Sequence, residues 1–164
     1  MVVMGLAALA VAGVSIATQA PPQAAFVILT PPVRGLGGSN EDLVRDTERV
    51  LMALQEEGRL GYRRSAADPA SLAECLTGGV EPSEERSACL RRLLPSTEGG
   101  VPVVAIAINY TLERGAWQRM ECIGPRGNGL QRHAYVNQAD HPRPDIRAAA
   151  RSEMLQCVTE ALPL

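Results

Sequence analysis

At 164 residues, with 46% of them hydrophobic, 21% charged and a formal net charge of −2, the chain has the size and balance of one globular domain. Those values argue against a disordered tail, which carries fewer aliphatics and more net charge, and against multi-span membrane insertion, which needs several long apolar runs. The near-neutral balance also argues against a nucleic-acid binder, whose basic excess gathers on one face. All 16 basic residues are arginine. Without lysine there is no Schiff-base chemistry, no Walker-type phosphate loop and no Ser-x-x-Lys acyl transfer. The aromatic set, Phe26, Tyr62, Tyr110, Trp117 and Tyr135, is too thin for a stacking platform.

Residues 1–20 read as an export signal. No charge precedes Arg34, the run is apolar, Ala-Thr-Gln-Ala ends it on a small-x-small pattern, and Pro21 and Pro22 follow directly. The basic n-region of such a signal is missing, and an uncleaved membrane anchor is the alternative, since about 20 apolar residues span a bilayer. Residues 21–38, with prolines and glycines around the apolar run from Phe26 to Leu29, read as a linker holding at most one short strand. Residues 39–164 then form a single domain.

Within the linker, Gly35-Leu-Gly-Gly-Ser-Asn40 precedes a helix, where backbone N–H groups and the helix dipole can hold an anion. The dinucleotide fingerprint fails: its third glycine is absent, Pro31 and Pro32 interrupt the run before it, and no βαβ unit is expected to follow.

The first helix is predicted from Asn40 to about Arg59, because Leu43, Val44, Thr47, Val50, Leu51 and Leu54 recur at helical spacing. Ser39 is its expected cap, and Gly58 and Gly61 its stop. Asp68-Pro69 starts a short helix through Leu72, Cys75 and Leu76, and Pro82 opens another through Cys89, Leu90 and Leu93 that ends at Pro95. Three strands are expected next, Val101 to Glu113, Ala116 to Ile123 and Leu130 to Asn137, joined by turns at Arg114-Gly115 and at Gly124 to Gly129. The last helix begins near Pro144 and gathers Ile146, Ala150, Met154, Cys157, Val158 and Ala161 on one stripe. The expected fold is therefore α+β, a three-stranded antiparallel meander sheet with helices on one face.

Cys75, Cys89, Cys122 and Cys157 all follow the export signal, and an even number in that context implies disulfides. Three connectivities are open, and local geometry leans toward Cys75 with Cys89 and Cys122 with Cys157. The cysteines show no Cys-x-x-Cys spacing and the histidines no His-x3-His spacing, so neither a metal nor another cofactor is expected.

His133 and His141 are the only histidines and hence the only candidate bases at neutral pH. No Gly-x-Ser-x-Gly turn presents a nucleophile. Glu113 and Glu121 read as ordinary charges on the exposed face of a hairpin. The unusual feature is Arg143, Arg147 and Arg151, spaced four apart at the start of the last helix. Like charges in line repel, and cations sit badly at a helix N-terminus, so the arrangement costs stability unless an anion answers it, Glu113, Glu121 or Asp140 from within the fold or a bound partner, or the side chains snorkel into solvent. The leading expectation is an exported domain, periplasmic or extracellular, with a binding or structural role toward an anionic envelope component or protein. The alternative is a small secreted hydrolase using His133 or His141 with a carboxylate.

Overall fold

The computed structural model describes residues 20–30, 40–76, 83–111, 117–131 and 138–162. Residues 1–19, the body of the expected export signal, lie outside them, as do the glycine loop before Asn40, Glu113 and His133. The described elements run in the order β1 (Gln23–Leu29), α1 (Asn40–Glu56), β2 (Gly61–Arg64), α2 (Pro69–Ala73), a 3₁₀ turn (Glu74–Leu76), α3 (Glu84–Leu93), β3 (Thr97–Glu98), β4 (Val101–Thr111), β5 (Trp117–Ile123), β6 (Asn128–Gln131) and α4 (Pro144–Ala161).

The sheet corrects the expected meander. It has six strands and is mixed, in the order β2-β1-β4-β5-β6 with β3 paired to the start of β4. The antiparallel β4-β5-β6 part agrees with the sequence reading, although β6 begins at Asn128 and residues 132–137 are not described. Composition allowed one short strand in the span assigned to a linker but not its place in the sheet: β1 pairs in parallel with both β2 and β4. A parallel strand covered on both faces is a short apolar run without alternation, and its flanking prolines and glycines resemble linker punctuation. β2 carries no apolar pattern at all, because it is an edge strand whose Arg63 and Arg64 are exposed. The glycine loop therefore does connect a strand and helix of a βαβ unit, β1-α1-β2.

The helices lie on both faces, not one. On the first face Phe26, Val104, Ile106, Ile108, Met120 and Cys122 pack against α1 and α4. On the second, Ala25, Val27, Leu29, Val103, Ala105, Ala107 and Ile123 pack against α2, the 3₁₀ turn and α3. Along β4 large and small side chains alternate, isoleucine toward the long helices and alanine toward the short ones, so the short helices sit close to the sheet.

Local signals end the elements as read. Gly58, at φ 65°, closes α1 in a Schellman motif: its N–H donates to Gln55 O and that of Arg59 to Leu54 O, each at 2.9 Å. Asp68 caps α2 through the amides of Ala70 and Ser71, with Pro69 in the first turn, and Ser83 caps α3 through the Arg86 amide. The disulfides are Cys75–Cys89, joining the 3₁₀ turn to α3, and Cys122–Cys157, joining β5 to α4, the pairing that local geometry favoured. At the second bridge the helix lies directly on the β5-β6 hairpin backbone. A Cβ on Gly124, Gly127 or Gly129 would stand 2.0, 2.4 or 2.1 Å from the carbonyl oxygens of Ala161, Glu160 and Cys157.

Candidate functional site

The chain leaves β1 through α1 to reach β2 on one side, then returns across the sheet through α2 and α3 to reach β4 on the other. Two connections that leave a parallel sheet in opposite directions open a crevice at the carboxyl ends of its strands, where α/β domains take their ligands. Here the crevice is enlarged because β1 outruns its neighbour. Arg64 pairs with Phe26, the Ser65 N–H donates to the Phe26 carbonyl at 2.8 Å, and the chain then turns away into α2 while β1 continues to Leu29.

The result is a cavity of about 530 Å³ walled by Phe26 to Leu29 of β1 and Thr30 after it, Val44 and Glu48 of α1, Arg64 at the end of β2, Ser65 and Ala67 beyond it, and Pro69, Ala70 and Ala73 of α2. A second cavity of about 390 Å³ shares Thr30, Val44 and Glu48 and extends along α1 to Glu41 and Arg45. Both volumes fall in the range of small-ligand sites.

Polar groups gather where β2 stops. Glu48 accepts hydrogen bonds from the Arg64 guanidinium and, at 3.4 Å, from the Tyr62 hydroxyl. Burial and the Glu48 charge push the Tyr62 hydroxyl above its ordinary pKa, while the hydrogen bond to Glu48 holds Arg64 more firmly protonated. On the other face Ser65 Oγ donates to Glu98 Oε2 at 2.7 Å, the Ala66 N–H donates to the same oxygen at 3.0 Å, and Arg63 donates to the Glu98 carbonyl. These bonds, the Ser65 hydroxyl first, keep the Glu98 carboxyl below its usual pKa and pin the turn that forms the crevice floor.

The crevice thus has apolar walls and one fixed acid–base pair. The Ser65 hydroxyl is engaged by Glu98 and by the Ala67 N–H, which donates to it at 3.1 Å, and among the described residues the lining contains neither histidine nor cysteine.

The arginines singled out in the sequence lie elsewhere, and each has a partner of its own. Arg143 pairs with Asp145 at 2.6 Å, Arg147 donates to the carbonyls of His141 and Pro142 at 2.6 and 3.1 Å, and Arg151 Nε meets Glu57 Oε1 at 2.8 Å. Of the expected carboxylates, Asp140 pairs with Arg49 of α1 and Glu121 lies on the opposite face of the sheet, while Glu113 is outside the described residues. Arg151 also borders a cavity of about 380 Å³ between α1 and α4, with Arg49, Glu56 and Asp140 around it. His141 accepts a hydrogen bond from the Arg143 N–H at Nδ1, 3.2 Å.

Glu121 is not on an exposed face. Its side chain is 3% exposed beneath α3, where Oε1 accepts from Ser87 Oγ at 2.9 Å and Oε2 stands 3.5 Å from Arg86 Nε. Burial pulls the Arg86 guanidinium below its ordinary pKa and Glu121 opposes that shift. Among the described residues no group of His, Cys, Asp and Glu side chains is placed to hold a metal ion. The crevice residues Ile28, Thr30, Glu48, Arg64 and Ser65 were not singled out in the sequence; the one signal pointing to them is an apolar run followed by glycines and a helix. No family model, curated protein or solved structure matches this chain.

Proposed function

We propose that the chain is an exported, disulfide-stapled domain that acts by binding, and that its ligand enters the crevice at the carboxyl ends of β1 and β2. The observation that carries this reading is the 530 Å³ cavity at the point where β1 outruns β2 and the two connections diverge. The two disulfides are compatible with an oxidising compartment, periplasmic or extracellular. Among the described residues no helix is long and apolar enough to cross a membrane.

Recognition of an anionic envelope component through Arg143, Arg147 and Arg151 is the second reading, favoured by the cavity beside Arg151. It requires that Asp145 and Glu57 give up their arginines to the partner. Among the described residues hydrolysis gains no comparable support, since His141 Nδ1 is occupied by a backbone N–H, and His133 lies outside them.

A site-resolved titration separates the first two readings. Amide shifts of the ¹⁵N-labelled oxidised protein are followed against a small-fragment mixture and against inorganic phosphate. Fragment-induced shifts clustered at Ile28, Thr30, Val44 and Ala70 are expected. Shifts confined to Arg147 and Arg151 with phosphate, abolished by Arg147→Glu and Arg151→Glu, overturn the crevice reading in favour of the second. Export is checked by intact mass after non-reducing alkylation of natively expressed protein. Loss of residues 1–20 with no free thiol is expected, and a full-length chain with its 4 cysteines alkylated sinks it.

A further inference from the structure

We propose that the crevice takes a short extended peptide, which lies antiparallel beside β1 where β2 has ended and sets its C-terminal carboxylate against Arg64. This rests on the crevice being the binding site and names what it binds.

The backbone of β1 carries the argument. The Phe26 carbonyl points toward β2 and accepts the Ser65 N–H at 2.8 Å. Successive residues of a strand direct their N–H and C=O to opposite sides, so Ile28, two residues on, directs both toward that same side. There β2 offers no residue, because its last pairing is Arg64 with Phe26, and Ile28 lines the cavity instead. A donor and an acceptor at strand spacing, beside an open cavity, match the main chain of an added strand. Three residues of β1 past Phe26 span about 10 Å at ~3.3 Å per residue, the reach of a three- or four-residue occupant.

The walls agree with alternate apolar side chains. Val44 closes one side, and the small side chains of Ala70 and Ala73 leave room on the other. Direction follows from charge. Arg64 sits at the end where β2 stops, its side chain is 72% exposed, and its guanidinium is engaged by Glu48 and Tyr62 through only part of its N–H groups, leaving others for a carboxylate. A peptide antiparallel to β1 brings its C-terminus to that end.

The test uses the oxidised full chain and three probes: N-acetyl-Ala-Val-Ala-Val as free acid, the same peptide as C-terminal amide, and octanoate. The acid is expected to bind, moving the Ile28 amide resonance and slowing its exchange, with the amide about tenfold weaker. Arg64→Met should weaken the acid about tenfold and leave the amide unchanged, and Ala70→Trp, at an exposed position of α2, should remove binding of both without lowering the melting temperature. Equal affinity for acid and amide, octanoate binding as tightly as the peptide, or shifts that miss Ile28 each overturn the inference. Fragments that bind the crevice while no peptide does overturn it and leave the crevice reading standing. If neither fragments nor peptides bind, both fall.

Discussion

At the scale of single residues, the most exacting environment is the Arg86–Glu121 pair, buried between α3 and β5 with side chains 5% and 3% exposed. Two charges taken out of water tolerate each other's company far better than its loss. Glu121→Ala is therefore expected to cost ~3–5 kcal/mol in chemical denaturation, because Arg86 is left buried without its carboxylate. The double variant Arg86→Met with Glu121→Leu should recover most of that, since an apolar pair of similar volume removes both desolvation penalties. Glycines separate in the same way. Gly58→Ala meets nothing within 4 Å and bears only its positive φ, ~1 kcal/mol. Gly129→Ala drives a Cβ to 2.1 Å from Cys157 O, on a helix held by its disulfide, and should cost at least ~2–3 kcal/mol.

At the scale of elements, the two disulfides hold different kinds of structure. Cys122–Cys157 closes a separation of 35 residues and ties α4 to the sheet, whereas Cys75–Cys89 closes 14 and ties the short helical segments to each other. Loop entropy gives ~4 and ~3 kcal/mol respectively. Replacing Cys122 and Cys157 by serine should therefore lower the denaturation midpoint more than replacing Cys75 and Cys89, and an equal or reversed order contradicts this. The helices themselves were legible: Leu43, Val50, Leu51 and Leu54 repeat at helical spacing, and Asp68-Pro69 and Gly58 act as the cap, first-turn proline and stop they appear to be in the sequence. The strand β2 and the place of β1 in the sheet were not, because a parallel strand's partner comes from far along the chain. Ala25 meets Val103, and no local pattern encodes that.

At the scale of the whole molecule, three carboxyls among the described residues are held below their ordinary pKa, while burial pushes Asp46 above its own and so opposes them. Glu98 is held below its ordinary pKa by the Ser65 hydroxyl and the Ala66 amide. Asp68 is held down by the Ser71 hydroxyl and the Ala70 and Ser71 amides, and Asp145 chiefly by Arg143. A carboxyl whose folded pKa is depressed binds protons more readily in the unfolded chain. Its stabilisation is therefore complete above the unfolded value, about 4, and is lost as pH falls through the lower folded value. Stability against denaturant should be level from pH 7 to about 5 and decline below. Ser65→Ala should make the decline below about pH 4.5 shallower, because it brings Glu98 closer to its unfolded pKa. A stability maximum below pH 4 contradicts the assignment.

The sequence by itself determined the helices, the Asp68 cap and Gly58 stop and the antiparallel β4-β5-β6 portion, and it leaned toward the cysteine pairing found, since each depends on neighbours within a few tens of residues. Its reading of a sheet of three antiparallel strands, of helices on one face and of Glu121 as an exposed charge failed for one reason. All three turn on β1, whose insertion between β2 and β4 makes the sheet parallel at its centre, places α2 and α3 on the second face and buries Glu121 beneath α3. The crevice belongs to the same decision. Nothing in the run from Phe26 to Leu29 states that β2 will stop opposite Phe26, and only the tertiary register, by leaving β1 longer than its neighbour, opens a cavity there.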